Sequence, residues 1–221
     1  MSETYAVASR TTPSRSAERV GYDRDAVHRV LDEAVLCHVG FVVDGDPVVL
    51  PQLHARLGDR LYLHGSTGAR SMRQARKGGL RVCVTVTLVD GLVLARSAFH
   101  HSVNFRSVVA HGLAVAVDDE EEKARALAVL VDAVVPGRST ASRAPSRKEL
   151  AATTVLRLDL LEVSLKVRTG PPHDDPEDMD LPYWAGVLPL ATTSGVPQPD
   201  PDAVDAVDVP DHVTHWTRAR L

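Results

Sequence analysis

The sequence predicts a mainly β fold with flanking helices, in which an antiparallel barrel carries helices packed on its outside. Roughly seven apolar segments of strand length occur in the chain. Asp-Gly and Gly-Asp pairs, which favour tight turns, separate several of these segments. Helical patterns are absent between most of them, whereas a doubly wound parallel sheet needs a helix between most strands. The sequence therefore favours an antiparallel barrel.

Three segments have the pattern of helices. Asp23 suits the N-cap of the first, and its apolar residues at helical spacing are Val27, Val30, Leu31 and Ala34. The segment DDEEEKARALAVLVDAVV has acidic residues in its first turn, where they complement the helix dipole. The segment SRKELAAT is predicted to form a short capped helix.

The strand pattern begins after the first helix. The segment VLCHVGFVVDGDPVVLPQLHARLGDRLYLHG predicts a meander of three antiparallel strands. A further hairpin is predicted at Asp90-Gly91, because the pair lies between two apolar runs. The segments FRSVVAHGLAVAV and TVLRLDLLEVSLKVRTG predict a sixth strand and one last long strand.

Composition divides the chain into three parts. Residues 1–21 lack an apolar period and are predicted to form a mobile N-terminal arm. Residues 22–170 contain the predicted barrel. Residues 171–221 are rich in Pro, Asp and Gly, and we expect an extended C-terminal tail that packs on the body or on a partner subunit.

The overall composition excludes several classes of protein. With 25 Lys and Arg against 29 Asp and Glu, the chain lacks the positive excess that nucleic-acid binding requires. No apolar run reaches the length of a membrane span, and the N-terminus lacks the apolar centre of a signal peptide, so we expect a cytoplasmic protein. Cys37 and Cys83 lie in apolar runs rather than in a Cys-x-x-Cys pair, which favours free thiols over a zinc site or disulfide.

A Gly/Ser/Thr turn lies between a predicted strand and a basic helix in LYLHGSTGARSMRQARKGG. Such a turn at a helix N-terminus suits a phosphate, with hydroxyls from Ser66 and Thr67 and guanidinium groups from Arg70 and Arg73. The spacing is not that of a Walker A loop, which excludes typical ATP chemistry. The local sequence fits equally a solvated loop in which Ser66 and Thr67 cap the helix.

A second polar patch occurs in SAFHHSVNFRSVVAHG, where Ser102, Asn104, Arg106 and Ser107 precede a valine-rich strand. Amide, hydroxyl and guanidinium groups suit a flat heterocycle with carbonyls and ring nitrogens. Alternation along a strand places Asn104 and Arg106 on one face and Ser107 on the other. The alternative is an edge strand whose polar residues face water.

Together these segments resemble the FMN-binding split-barrel family related to pyridoxamine 5'-phosphate oxidase, in the flavin-nucleotide-binding or nitroimidazole-resistance-like branch. The resemblance is carried by PVVLPQLHARLGDRLYLHGSTGARSMR, SAFHHSVNFRSVVAHG and SLKVRTGPP, and covers about residues 22–172. It implies a six-stranded antiparallel split β-barrel that forms a homodimer with flavin sites in the dimer cleft. It also implies FMN as the cofactor.

The resemblance assigns four groups of site residues by position. Those matching the segment at the FMN phosphate and ribityl chain are His64, Gly65, Ser66, Thr67 and Arg70. Those matching the strand along the isoalloxazine edge are Val49, Leu50, Pro51 and Gln52. Those matching a segment that meets the cofactor or its phosphate side are Asn104, Arg106 and Ser107. Those on the C-terminal strand near the substrate face are Lys166 and Arg168.

The chain departs from the family's full oxidase, because the C-terminal signature for pyridoxal phosphate is missing after KVRTGPPHDDPED. Oxidation of pyridoxamine phosphate is therefore not expected. The wider family also includes members that hold a deazaflavin coenzyme or haem, and the ten histidines of this chain offer iron ligands. His54 or His64 would then be the ligand. No tight zinc site is expected, because neither histidine has a carboxylate or thiolate set beside it.

Two functions of different classes follow. The first is an FMN-dependent oxidoreductase that passes reducing equivalents from a reduced nicotinamide to a small acceptor, with no obligatory side-chain acid or base. The second is a non-catalytic carrier or sensor that holds FMN, deazaflavin or haem on the same barrel. A third interpretation, a regulatory protein that binds no cofactor, also fits the sequence.

Overall fold

A computed structural model describes residues 3–202 and 208–216. Residues 1–2 of the predicted arm, and residues 203–207 and 217–221 of the predicted tail, lie outside the described residues. The helices are α1 Arg24–Glu33, α2 Arg70–Ala75, α3 Glu120–Val134, α4 Arg147–Ala152 and α5 Asp211–Thr214. The strands are β1 Val20–Gly21, β2 Leu36–Val43, β3 Asp46–Leu57, β4 Arg60–Ser66, β5 Leu80–Leu94, β6 Ser102–Ala116, β7 Thr153–Asp159, β8 Glu162–Arg168 and β9 Gly186–Pro189.

The sheet has nine strands, and the hydrogen-bonded neighbours include a closed ring of β2, β3, β4, β7, β6 and β5. All the strand pairings of the described residues are antiparallel. Strand β8 is added to β6, β1 to β8, and β9 to β5. The prediction of a mainly β fold with flanking helices is confirmed. The ring is consistent with a split barrel, although the complete sheet exceeds the six strands expected.

The predicted helices form where the sequence places their caps. The Asp23 carboxylate accepts a hydrogen bond from the Ala26 amide at 2.7 Å and caps α1. Asp119 caps α3 in the same way, through the Glu122 amide. Ser146 and Glu149 form a reciprocal capping box at the start of α4.

The predicted Asp-Gly turn between β2 and β3 is confirmed. Asp44 and Gly45 both have positive φ, 52° and 93°, as a two-residue hairpin with the twist of the flanking strands requires. The predicted hairpin at Asp90-Gly91 is wrong, because β5 runs through both residues with a β-bulge beside Gly91. Strand β9 packs against this point, and a Cβ on Gly91 would lie 3.0 Å from the Leu188 carbonyl oxygen. Glycine is needed here for close approach of two strands rather than for a turn.

The predicted last long strand is also wrong, because it is divided into β7 and β8. The two parts run in the same direction, because both pair antiparallel with β6, and β7 pairs in addition with β4. Leu160 at this break is buried and its amide donates to the Asp59 carbonyl, whereas Leu161 is 70% exposed. The sequence does not reveal such a break, because the apolar run continues through it and hydrophobic periodicity alone does not locate strand ends.

Two apolar cores hold the elements together. The larger contains the inward side chains of the ring with those of α1 and α2, including Val27, Leu31 and Met72. The smaller lies between α3 and the sheet formed by β3, β4 and β7, and contains Ala55, Tyr62, Val117, Ala126, Leu130 and Val155. Full burial of one large apolar side chain stabilises the fold by about 1.5–3 kcal/mol. The larger core therefore fixes α1 and α2 against the barrel, and the smaller core fixes α3.

Near the N-terminus the described chain contacts the β3–β4 turn of the barrel, and near the C-terminus it contacts α3. Tyr5 is 3% exposed, and its hydroxyl bonds to Asp59 at 3.0 Å. At the other end, the indole nitrogen of Trp216 donates to the Val134 carbonyl oxygen at 2.8 Å, at the last turn of α3. These contacts place a C-terminal segment beside the end of α3.

Candidate functional site

Strands β3 and β4 diverge from each other, and the gap organises the candidate site. They pair only from His54 opposite Leu63 to Leu57 opposite Arg60. Beyond that point, His64–Ser66 pairs with β7, whereas the first part of β3 pairs with β2. Within the described residues, the facing edges of β3 and β4 therefore leave backbone groups without a strand partner.

A cavity of about 820 Å³ lies between this part of the sheet, α3 and the loop that joins α3 to α4. Its volume is within the range of roughly 300–1,000 Å³ that is typical of pockets for small molecules and cofactors. Apolar side chains form most of the wall, including Leu53, Leu127, Leu130, Val131, Val134 and Val135. Polar side chains from the loop and from α4 form the rim, including Arg138, Ser139, Thr140, Ser142, Arg143 and Glu149.

His64 projects from β4 into the wall of this cavity. Its ring nitrogen Nδ1 is buried and has no hydrogen-bond partner among the described residues. Burial lowers the pKa of His64 below its ordinary value, so the imidazole is neutral at pH 7. A neutral imidazole is the form that ligates a metal. Haem iron is bound by His, Cys, Met or Tyr side chains. Among the described residues that line the cavity, His64 is the side chain of these types.

His54 has a different environment. It is 2% exposed, and its Nε2 is 2.9 Å from the Leu31 carbonyl oxygen. Because His54 lies opposite Leu63, the alternation of side chains places it on the other face of the sheet from His64. The two histidines are therefore in neighbouring strands, as expected, but do not face one ligand. No group of three or more metal-binding side chains occurs within residues 3–202 and 208–216.

The turn after β4 is largely bonded to itself. The Thr67 amide donates to the Ala152 carbonyl, the Ala69 amide to the Ser66 carbonyl, and the Gly68 amide to Ser66 Oγ. The first turn of α2 has no side-chain cap, so its leading amides are the free donors at this place. The Arg70 guanidinium forms an ion pair with Asp44 in the β2–β3 turn, and both side chains are mostly exposed. An anion at this turn would therefore compete with Asp44 for Arg70.

The β3 segment from Val49 to Gln52 lies along the open edge of the gap. Val49 and Leu50 are 62% and 40% exposed, which is high for aliphatic side chains in a strand. Pro51 is exposed as well, and Gln52 is half-buried. This segment ends at Leu53, which lines the cavity. Apolar side chains and unpaired backbone groups therefore occur together along this edge.

Arg106 is half-buried and is held by two carboxylates. Its guanidinium donates to both oxygens of Asp90, at 2.9 and 2.7 Å, and to both oxygens of Glu33. Hydrogen bonds to Asp90 and then Glu33 raise the pKa of Arg106 above its already high ordinary value. The arrangement joins the end of α1 to β5 and β6.

Asn104 and Arg168 form a second internal network. Asn104 is 8% exposed and Arg168 is 7% exposed. Arg168 donates to the Asn104 side-chain oxygen, and the Asn104 amide donates to the Gly170 carbonyl at 3.1 Å. Burial, and then the charge of Arg19, lower the pKa of Arg168. This network fixes the chain at the start of the tail.

Ser107 and Lys166 are opposite each other on neighbouring strands β6 and β8. Ser107 donates to the Val86 carbonyl at 2.9 Å, and its hydroxyl is 3.1 Å from that of Thr87. Lys166 is exposed. This pair lies on the outer face of the sheet, away from the cavity lining.

The expected site residues thus form three groups. The segments at Val49–Gln52 and His64–Arg70 adjoin the same gap, whereas Arg106, Asn104 and Arg168 are engaged in internal networks. Ser107 and Lys166 lie on the outer face of the sheet. The cavity lining from α3 and the following loop was missed at the sequence level. Its signal was present, because ARALAVLVDAVV is apolar around more of the helix than one packed face requires.

No helix of the described residues is both long and apolar enough to cross a membrane.

Comparison with known proteins identifies relatives of this fold. A family model described as pyridoxamine 5'-phosphate oxidase matches residues 23–167. The structure of the flavocytochrome Anf3 from Azotobacter vinelandii is 40% identical, with a TM-score of 0.89, and the match covers 97% of this chain and 100% of that chain. The structure of the FAD and haem binding protein from Mycobacterium smegmatis is 38% identical, with a TM-score of 0.83, and the match covers 88% of this chain and 95% of that chain.

A more distant structure shares the fold. The putative 5-nitroimidazole antibiotic resistance protein from Bacteroides thetaiotaomicron is 23% identical, with a TM-score of 0.56, over 67% of this chain and 86% of that chain. A search of curated proteins found no match. The family expected from the sequence is thereby confirmed: this chain belongs to the pyridoxamine 5'-phosphate oxidase-like family, among structural neighbours of the FMN-binding split-barrel group.

Proposed function

We propose that this protein is a flavin- and haem-binding oxidoreductase, with haem in the cavity beside His64 and the flavin along the open edge of β3. The observation that carries the proposal is the apolar cavity of about 820 Å³ whose wall contains a buried, neutral histidine without a partner among the described residues. Two relatives of about 40% identity are a flavocytochrome and an FAD and haem binding protein, which supports the same pair of cofactors here.

The residues at the cavity fit haem in both shape and chemistry. Apolar walls from α3 and Leu53 exclude water from a flat ring, and burial keeps His64 in the form that donates a lone pair to iron. The buried Nδ1 without a described partner is an unusual feature for a structural histidine, because buried polar atoms are nearly always hydrogen-bonded. A ligand that binds the imidazole would remove the free-energy cost of burying this nitrogen without a partner.

A different set of residues supports the proposed flavin site. Val49 and Leu50 offer apolar surface to a planar ring, and the unpaired backbone groups of the β3 edge offer hydrogen bonds to its polar rim. The amides at the start of α2 and the Arg70 guanidinium lie at the same gap and suit the phosphate end. The family resemblance favours FMN, whereas the relative from M. smegmatis favours FAD. We assign FAD.

The two sites share strands β3 and β4. His64 at the cavity and Ser66 at the turn are two residues apart, which is about 7 Å along a strand. When bound, a flavin supplies hydride chemistry and a haem supplies one-electron chemistry. The chain's own contribution is to hold both groups at one gap, in apolar surroundings and out of water. We propose that the reducing equivalents come from a reduced nicotinamide and leave to a small acceptor.

The exposed aliphatic side chains of the outer sheet support a homodimer with the flavin at its interface. Val42, Val49 and Leu113 are 55%, 62% and 46% exposed, and they lie on β2, β3 and β6 of one continuous sheet. Contact with a second copy would remove this apolar surface from water. Sedimentation of the purified protein tests the proposal, since a monomer at micromolar concentration would contradict it.

The visible spectrum tests the pair of cofactors. The purified protein, supplied with haem and FAD, is expected to show both a Soret band and flavin absorbance. Under anaerobic conditions, a reduced nicotinamide should bleach the flavin and then reduce the haem. Binding of both groups without any reduction would favour a carrier or sensor, and a colourless protein with no affinity for either group would contradict the proposal.

A cavity-filling pair of variants separates the two sites. Ala128 lines the cavity and is exposed, so Ala128→Phe fills space without disturbing either core. We expect this variant to lose haem and to keep FAD. The matched control is Ala151→Phe, because Ala151 is also an exposed helical alanine but does not line the cavity.

A further inference from the structure

We propose that Arg138 and Arg143 bind the two carboxylates of the ligand in the cavity, so that the site selects a planar apolar molecule with a dianionic edge, such as haem with its two propionates. This inference rests on the proposed function, because it concerns the same cavity. It adds the residues that recognise the ligand's charged edge and the orientation of that edge toward the loop between α3 and α4.

The cavity has two chemically distinct sides. The side formed by α3 and β3 is apolar, with Leu53, Leu127 and Val131 in the lining. The opposite side is formed by the loop after α3, where Arg138 and Arg143 line the cavity with three hydroxyl-bearing residues. An entirely apolar ligand would leave the Arg138 guanidinium at its edge without an anion, and Arg143 paired with Glu149 alone. A ligand with both an apolar body and carboxylates satisfies both sides.

Arg138 is available for such a contact. It forms no ion pair with any described residue, and its side chain is exposed. Its backbone is nevertheless fixed, because its amide donates to the Val135 carbonyl at 3.0 Å and its carbonyl accepts from the Ser142 hydroxyl at 3.0 Å. A fixed backbone with a free guanidinium reduces the entropy cost of binding an anion.

Arg143 is held at the rim by an exposed ion pair, which is weaker than a buried one. It donates to Glu149 at 2.8 and 3.1 Å and to the Ala144 carbonyl at 2.7 Å. The side chains of Arg143 and Glu149 are 70% and 51% exposed, and such exposed pairs contribute little to stability. Its fork can therefore turn to a ligand carboxylate at small cost. Two arginines and one glutamate leave the rim with a net positive charge.

The loop that carries these arginines is fastened at its start. The Ser139 amide and hydroxyl both donate to Asp132 in α3, at 2.8 and 2.7 Å. Ser146 and Glu149 cap the helix that follows. Both arginines are thus presented from a short segment fixed at each end, which suits recognition of a ligand edge rather than general attraction of anions.

The test compares haem with haem dimethyl ester, which has the same ring and iron but no free carboxylates. Each is titrated into the wild-type protein, and binding is followed by the Soret band. The same titrations use Arg138→Gln, Arg143→Gln and the double variant. Arg147→Gln is the control, because Arg147 is an exposed arginine of the same region that does not line the cavity. Thermal unfolding by circular dichroism verifies that each variant is folded.

We expect the wild type to bind the ester at least about tenfold more weakly than haem, since the ester offers no carboxylate for a charge-assisted hydrogen bond to either guanidinium. The double variant should bind haem and ester alike, and Arg143→Lys should retain part of the preference. Equal binding of haem and ester by the wild type would overturn the inference while leaving the haem site intact. An equal loss in Arg147→Gln would also overturn it. Absence of any haem binding by the wild type would instead refute the proposed function.

Discussion

The Arg106 network gives a prediction that separates a structural role from a cofactor role. The family resemblance assigns Arg106 to the cofactor, but its guanidinium is bonded on both sides to Asp90 and Glu33. We predict that Arg106→Met destabilises the fold, because two carboxylates are then left facing each other without a cation. The side chains of Arg106, Glu33 and Asp90 are 27%, 14% and 34% exposed, so solvent screens the loss only in part.

The expected magnitude follows from this intermediate burial. Removing one partner of a fully buried pair costs about 3–5 kcal/mol. A fully exposed pair contributes about 0–1 kcal/mol. We therefore expect a loss of about 2–3 kcal/mol in the free energy of unfolding, which is a decrease in Tm of roughly 5–10 °C for a chain of this size.

The assay is thermal and urea unfolding with a parallel FAD titration. The control is Arg125→Met, because Arg125 pairs with Glu121 and both side chains are mostly exposed, so the change should be below about 0.5 kcal/mol. Folded Arg106→Met should keep its FAD affinity within about twofold. A variant of unchanged Tm that has lost FAD would refute this reasoning and place Arg106 at the cofactor.

The remaining predictions concern pH, packing and the tail. A hydrogen bond from Tyr62 lowers the pKa of Glu122 below its ordinary 4.5, so the carboxylate stabilises the fold above pH 4.5 and this stabilisation is lost as the pH falls through the lower folded pKa. Glu122→Gln should therefore weaken the decrease of the urea midpoint with pH below 4.5. An unchanged pH dependence of the urea midpoint would contradict this. Gly91→Ala should cost about 1–3 kcal/mol and expose the tail to protease, because its Cβ would meet β9, whereas Gly21→Ala, with nothing within 4 Å, should not. Trp216→Phe should lower the free energy of unfolding by about 1 kcal/mol through loss of one hydrogen bond, as measured by urea unfolding.

Four of the five described helices and most strands could be predicted because local signals determine them. Asp23 and Ser146 cap their helices through side-chain hydrogen bonds that the sequence pattern anticipates. The turn at Asp44-Gly45 also follows from local backbone preference. The identical pair at Asp90-Gly91 behaves differently, because β9, about 100 residues further along the chain, packs against it. A long-range contact of this kind leaves no mark in a local window.

The parts of the candidate site that lie within one segment of the chain could be predicted. The parts that distant segments form together could not. His64 and the residues after it are contiguous, so their shared position could be inferred. The roles of Arg106 and Arg168 could not, because their partners Glu33 and Asn104 are 73 and 64 residues away in the chain. The cavity also escaped prediction, since it requires α3, β3, β4 and the following loop together.

The most direct test of the account is the haem titration of His64→Ala against His215→Ala, an exposed histidine of the tail. Soret absorbance measures haem binding and flavin absorbance measures FAD binding in the same samples. We predict that His64→Ala loses the Soret band of the wild type and retains FAD, while His215→Ala retains both. A wild-type Soret spectrum in His64→Ala would contradict the placement of haem in this cavity.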